Sequence, residues 1–140
     1  MKTSARKAFI TRRLTFCAAH RLHSDKLSPE ENRRVFGKCN NPSGHGHNYA
    51  LEVTIAGPID ATTGMVFSLT DLKDVMADVI EHDIDHKNLN VDVPAFRTLN
   101  PTAENIAAVL WDLLEKRLKP GLLREVKLIE TENNFVSYRG

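Results

Sequence analysis

Only two cysteines occur in the 140 residues, Cys17 and Cys39, too few for a disulfide framework. A reducing cytosol is therefore the expected compartment, where either thiol stays free for chemistry. An excess of charge of one sign is also missing. Nineteen Lys and Arg stand against eighteen Asp and Glu, a net +1 that gives no bulk attraction to nucleic acid or membrane. No apolar run approaches the length that crosses a bilayer, and the N-terminal segment lacks the apolar stretch of a signal peptide. Internal repeats, low-complexity tracts and linkers are absent too. What remains is an ordinary globular composition, 41% hydrophobic and 26% charged, whose length suits one domain over residues 1–140. The basic residues near the start, Lys2, Arg6, Lys7, Arg12 and Arg13, read as a solvated tail.

Periodicity predicts the elements. Residues 8–20 read as a strand in which Leu14, Phe16 and Ala18 share a face that His20 continues. Ser28 and Pro29 suit the cap and first position of a short helix, and residues 37–46 form a loop rich in Gly, Asn and Pro. A second strand is expected from His47 to Ala56, with Tyr49, Leu51, Val53 and Ile55 on one face. Ser68 with Asp71 three residues on opens a helix whose Leu69, Leu72, Val75, Met76 and Val79 keep helical spacing. A second helix starts near Pro101-Thr102 and stops at Pro120-Gly121, and the chain ends in two strands turning at Asn133-Asn134. The order ββααββ predicts an α+β fold, a four-stranded antiparallel sheet with two helices on one face.

Extended backwards, the second strand places His45 and His47 on the face that carries Tyr49, because residues two apart point the same way. His20 sits on the apolar face of its own strand. A lone histidine there is best read as a satisfied core residue. Three imidazoles aimed at one side of a sheet point instead to a metal site, zinc being the default ion for neutral rings. Gly44 and Gly46 leave the approach clear. With no fourth protein ligand evident, one coordination position stays open, as in a Lewis-acid site. His23 and His82 lie in polar surroundings and read as surface residues.

Cys39 sits in a polar loop six residues before His45, where a nearby cation would lower a thiol's pKa. A fourth ligand, a nucleophile and a general base are all open roles for it. Asp85 and His86 follow the first helix, where a helix-end histidine and a turn aspartate explain them as well as function does. Glu130 falls on the face of Val126 and Leu128, which buries a carboxylate that must then find donors. Glu104 is by default an acidic residue in a helix's first turn.

Seven motifs in order, "FCAAHRLHS", "FGKCNNPSGHGHNY", "GMV", "LTDLK", "DHKNL", "TAEN" and "ETENN", resemble the 6-pyruvoyl-tetrahydropterin synthase family from about Phe9 to Gly140. The resemblance implies a tunnelling fold assembled as a homohexamer, a dimer of trimers. It implies a lyase that converts 7,8-dihydroneopterin triphosphate to 6-pyruvoyl-tetrahydropterin, a step of tetrahydrobiopterin synthesis, with release of triphosphate. By the same likeness zinc is bound by His20, His45 and His47, Cys39 is the catalytic base, and Asp85 and His86 form a relay reaching in from a neighbouring subunit. Glu130 is implied to anchor the pterin edge, with Thr102 and Glu104 helping to hold the ring. Two features differ. Ala103 stands where the animal enzymes carry a hydroxyl, and "NPT" is similar to the 6-carboxy-tetrahydropterin synthases of queuosine biosynthesis, which also expel acetaldehyde. The five residues between Cys39 and His45 match the pyruvoyl enzymes. A non-catalytic pterin- or metal-binding module is the remaining alternative.

Overall fold

Two long strands form the spine of a computed structural model that describes residues 6–140. Strand β1 (Lys7–His20) pairs antiparallel with β2 (His45–Pro58) along its whole length, from Lys7 opposite Pro58 to His20 opposite His45. The predicted alternation holds: Phe16, Ala18 and His20 are buried, and Tyr49, Leu51, Val53 and Ile55 are fully enclosed. Lys7, Arg12 and Arg13 lie within β1 rather than in a tail, Arg13 pairing with Glu52 at 3.1 Å. Lys2 lies outside the described residues.

Strand β3 (Lys87–Asn88) is only two residues long and runs parallel to β1 at Ala18 and Ala19. Strands β4 (Leu123–Thr131) and β5 (Asn134–Tyr138) complete the sheet in the order β3-β1-β2-β4-β5. The four expected antiparallel strands are therefore joined by a fifth, parallel one, making the sheet mixed. Two residues carry no readable alternation, so the sequence pattern could not announce it. The final turn is also one residue earlier than expected. Thr131 pairs with Asn134, which leaves Glu132-Asn133 as the turn, after a register shift in β4.

Helices α1 (Pro29–Phe36), α2 (Leu69–Asp83), α3 (Leu89–Asp92) and α4 (Ala103–Glu115) make four where the sequence order counted two, the extra pair being short. The caps explain where they start. Ser28, Ser68 and Thr102 accept from the backbone N–H groups of Glu31, Asp71 and Asn105, each satisfying an orphan donor of the first turn. Helix α2 lies over β1, and α4 over β4 and β5, so both long helices cover one sheet face as expected. Their apolar stripes, Leu72, Met76 and Val79 with Ile106, Leu110 and Leu114, are fully buried against that face. Among the described residues no helix is long and apolar enough to cross a membrane.

Candidate functional site

At the end of the core, where β1 stops and β2 begins, the enclosed face changes from apolar residues to imidazoles. The register sets His20 opposite His45, and alternation brings His47 onto the same face. Nε2 of His45 stands 3.2 Å from Nε2 of His20 and 3.0 Å from Nε2 of His47. The rings meet edge to face, with centroids 4.8 to 5.1 Å apart. Gly44, at φ +71, allows the close turn into β2; a Cβ there would stand 3.0 Å from the His20 carbonyl oxygen.

The tautomer of His20 follows from its partner. Its Nδ1 lies 2.7 Å from the carbonyl oxygen of Pro101, which can only accept, so Nδ1 carries the proton and Nε2 presents a lone pair. The contact with His45 then needs the single Nε2 proton of His45, and that proton cannot also serve His47. One of the two Nε2 contacts of His45 is therefore left without a bridging proton, and a cation shared by the Nε2 lone pairs resolves the mismatch. Donors about 2.0–2.1 Å from a shared ion at tetrahedral angles stand about 3.3 Å apart, close to the 3.0 and 3.2 Å seen here. The His20–His45–His47 group can thus hold a metal ion. Burial holds the pKa values of His20 and His47 below the ordinary imidazole range, which keeps both rings neutral and able to bind one.

Glu130, the last inward residue of β4, has an oxygen 3.9 Å from Nε2 of His47 and a side chain about one-fifth exposed. Its charge reaches His20, Cys39, His47 and Tyr49. It lines an open cavity of about 570 Å³ together with Thr102, Glu104, Leu22, Phe36 and Phe135. All three residues expected to hold a ring system therefore share one wall system, beside the imidazoles.

Cys39 lies in a 3-10 turn (Gly37–Asn40), half-buried, its carbonyl accepting from the N–H of Leu22 at 2.9 Å. Burial first, and the Glu130 carboxylate second, push its thiol above the ordinary pKa, against the expected fall. No positive group offsets these two effects on the thiol.

Asp85 and His86 are placed elsewhere. His86 Nδ1 lies 2.9 Å from Asp85 Oδ2, but the pair joins Cys17, not Cys39, on the opposite side of the ladder from the imidazoles. Asp85 Oδ1 accepts from the Cys17 N–H at 3.0 Å, and the His86 N–H donates to the Cys17 carbonyl at 2.7 Å. Burial raises the Asp85 carboxyl, but these hydrogen bonds outweigh it and leave its pKa below the ordinary value. His86 has φ +60, a left-handed backbone rare outside glycine, and its side chain is 79% exposed. Within one chain the expected base and relay do not meet. His23 is hydrogen-bonded to Asn40 and half-buried, while His82 is exposed at the end of α2.

Sequence reasoning missed Pro101, whose carbonyl fixes His20 from 81 residues away. It also missed Tyr49, whose ring packs edge-on against His20 and His47 and whose buried hydroxyl has no hydrogen-bond partner among the described residues. Burial drives the Tyr49 pKa far up, so the hydroxyl stays neutral. Only its place on the histidine face hinted at it.

Comparison with known proteins supplies the context for this geometry. A family model for 6-pyruvoyl tetrahydropterin synthase matches residues 9–140. A Homo sapiens protein named 6-pyruvoyl tetrahydrobiopterin synthase is 53% identical over 134 residues, covering 96% of this chain and 92% of its own. The Drosophila melanogaster protein of that name is 55% identical, covering 95% of this chain and 80% of its own. The structure of Caenorhabditis elegans 6-pyruvoyl tetrahydropterin synthase superposes with a TM-score of 0.93 at 43% identity, covering 97% of each chain.

Proposed function

The chain belongs to the 6-pyruvoyl tetrahydropterin synthase family, and we propose that its imidazole cluster and the Glu130 cavity together form the active site. The chain is a lyase that makes 6-pyruvoyl-tetrahydropterin from 7,8-dihydroneopterin triphosphate with release of triphosphate, as its relatives' shared name supports. That name does not favour the carboxy-forming sister activity or a module without catalysis. The single observation that carries the site assignment is the convergence of three Nε2 atoms beside a cavity that holds a carboxylate.

In this reading His20, His45 and His47 hold zinc. When bound, zinc supplies positive charge that stabilises the anion formed as carbon-bound protons leave and lowers the pKa of the Cys39 thiol. Glu130 accepts two parallel N–H bonds from the amino-pyrimidine edge of the pterin, charge-assisted and therefore strong. Thr102 and Glu104, on the same cavity wall, position the ring. Cys39 as thiolate removes a proton from the substrate side chain, and the electron pair left behind moves to expel triphosphate. Asp85 holds His86 through their 2.9 Å contact and orients it as a proton relay. Because that pair stands away from Cys39 in its own chain, it serves the site of a neighbouring copy. A homohexamer built as a dimer of trimers provides such neighbours, and a cytosolic single domain over 1–140 fits two free thiols.

Mass analysis of the product from zinc-loaded protein and 7,8-dihydroneopterin triphosphate tests the reading. The pyruvoyl product with free triphosphate is expected. A carboxy product with acetaldehyde assigns the chain to the sister reaction, and unchanged substrate refutes catalysis.

A further inference from the structure

Behind the imidazoles, on the other face of the β1–β2 ladder, a second group of metal-ligating side chains gathers. The thiol of Cys17, a carboxylate oxygen of Asp85 and a ring nitrogen of His86 all lie within 4.8 Å of one another. They stand in a cavity of about 430 Å³ whose floor is small: Ala19 and Gly46 offer no bulk, and Asn48 and Asn88 give polar walls. Tetrahedral donors around a shared ion stand about 3.3–3.8 Å apart when one of them is sulfur. The observed separations, all within 4.8 Å, are close to that spacing.

The scaffold holds the ligand-bearing segment rigidly. Asp85 Oδ1 is tied to the Cys17 N–H, and the His86 backbone is tied to the Cys17 carbonyl in its left-handed conformation. Asp85 Oδ2 and His86 Nδ1 already face each other across a hydrogen bond, the place a cation would take. The backbone N–H on Oδ1 orients the carboxylate, so that Oδ2 turns from the ring to an ion without loss of the anchoring bond. Thiolate, imidazole and carboxylate together suit zinc or cadmium rather than magnesium or calcium.

We propose that Cys17, Asp85 and His86 form a second, weaker site for a thiophilic divalent cation, distinct from the His20–His45–His47 centre. On binding, the Cys17 thiol loses its proton to solvent and the sulfur bonds to the ion. The His86 ring binds with its proton on Nε2, which leaves Nδ1 to coordinate in place of its contact with Asp85. The site stands on geometry alone. Its consequence rests on the relay reading above: an ion here removes Asp85 and His86 from proton transfer, so zinc activates at one equivalent and inhibits beyond it.

Cadmium provides the probe, because thiolate bound to cadmium absorbs in the ultraviolet and imidazole does not. Full-length Cys39→Ser protein, which retains one thiol, is loaded with one zinc per chain and titrated with cadmium. The absorbance is expected to saturate at one further ion per chain and to vanish in Cys17→Ser/Cys39→Ser. His86→Ala and Asp85→Asn, each in the Cys39→Ser background, are expected to weaken it at least about 10-fold, the loss that even an outer-shell partner causes. No absorbance, or a midpoint that neither His86→Ala nor Asp85→Asn moves, overturns the proposal by reducing the site to a lone thiol. In the activity arm, Cys17→Ser is expected to escape inhibition by excess zinc while keeping its turnover at one equivalent. Equal inhibition of Cys17→Ser and the parent overturns the regulatory consequence. If neither turns over substrate, the lyase reading fails while the cadmium titration still decides the site.

Discussion

The two faces of the β1–β2 ladder carry different chemistry within a few residues of each other. On the covered face, His20, His45 and His47 continue a run of Phe16, Ala18 and Tyr49 and are closed over by the Pro101 carbonyl. On the open face, Cys17 and Asn48 stand opposite each other in the register, and Asp85 and His86 arrive from the segment after α2. One position along a strand is enough to move a side chain between the two, since alternation is strict. The three imidazoles of the covered face come from one antiparallel pair of strands, and a backbone carbonyl orients His20. The open site depends on a single left-handed residue and leaves its imidazole 79% exposed. A buried, preorganised cluster suits a resident ion. An exposed pair suits contact with something outside the chain.

The largest effect expected from this contrast is at the covered face. His47→Ala removes one of the three proposed ligands and is expected to strip the ion and lower turnover by about 1,000-fold or more, since the group that stabilises developing charge leaves with it. Metal analysis beside product formation separates the two losses. Cys39→Ala sharpens the comparison: the ion stays, while turnover falls by about 10²–10⁴, the usual contribution of a positioned base. Metal loss in that variant would make Cys39 a ligand instead. Glu130→Gln keeps the shape but ends the charge-assisted pairing, worth about 1.5–3 kcal/mol, so kcat/KM is expected to drop about 10- to 100-fold. Thr102→Ala probes the scaffold, removing the cap of α4 just beside Pro101. It is expected to cost about 0.5–2 kcal/mol, read from denaturant unfolding.

The smallest effect belongs to the open face and to acid. Asp85 has its folded pKa depressed, so it contributes stability at pH values above its unfolded pKa. That contribution is lost as the pH falls through the depressed folded value. Unfolding midpoints measured across the acid range are expected to decline less steeply for Asp85→Asn than for the parent. Identical slopes would show that the Cys17 hydrogen bond does not favour the ionised form.

The same contrast explains what the sequence revealed. His-x-His on an alternating strand is legible because period two fixes direction without tertiary knowledge, and Ser28, Ser68 and Thr102 are legible because capping is local. Glu130 follows from the same alternation in β4. The partners that complete these residues are not local. Pro101 meets His20 across 81 residues, and the short parallel β3 exists only because β1 offers its edge at Ala18 and Ala19. Asp85 and His86 carried no period at all, and one chain does not bring them to Cys39. The final hairpin turns one residue earlier than the Asn133-Asn134 pair suggests because a register shift in β4 leaves no mark in composition.

The most direct test of the account is a crystal of the protein with one equivalent of zinc, with anomalous scattering measured at the zinc edge. One strong peak per chain is expected, bonded to Nε2 of His20, His45 and His47 and to a single non-protein atom. A peak closed off by a fourth protein ligand, or one that omits His20, contradicts it.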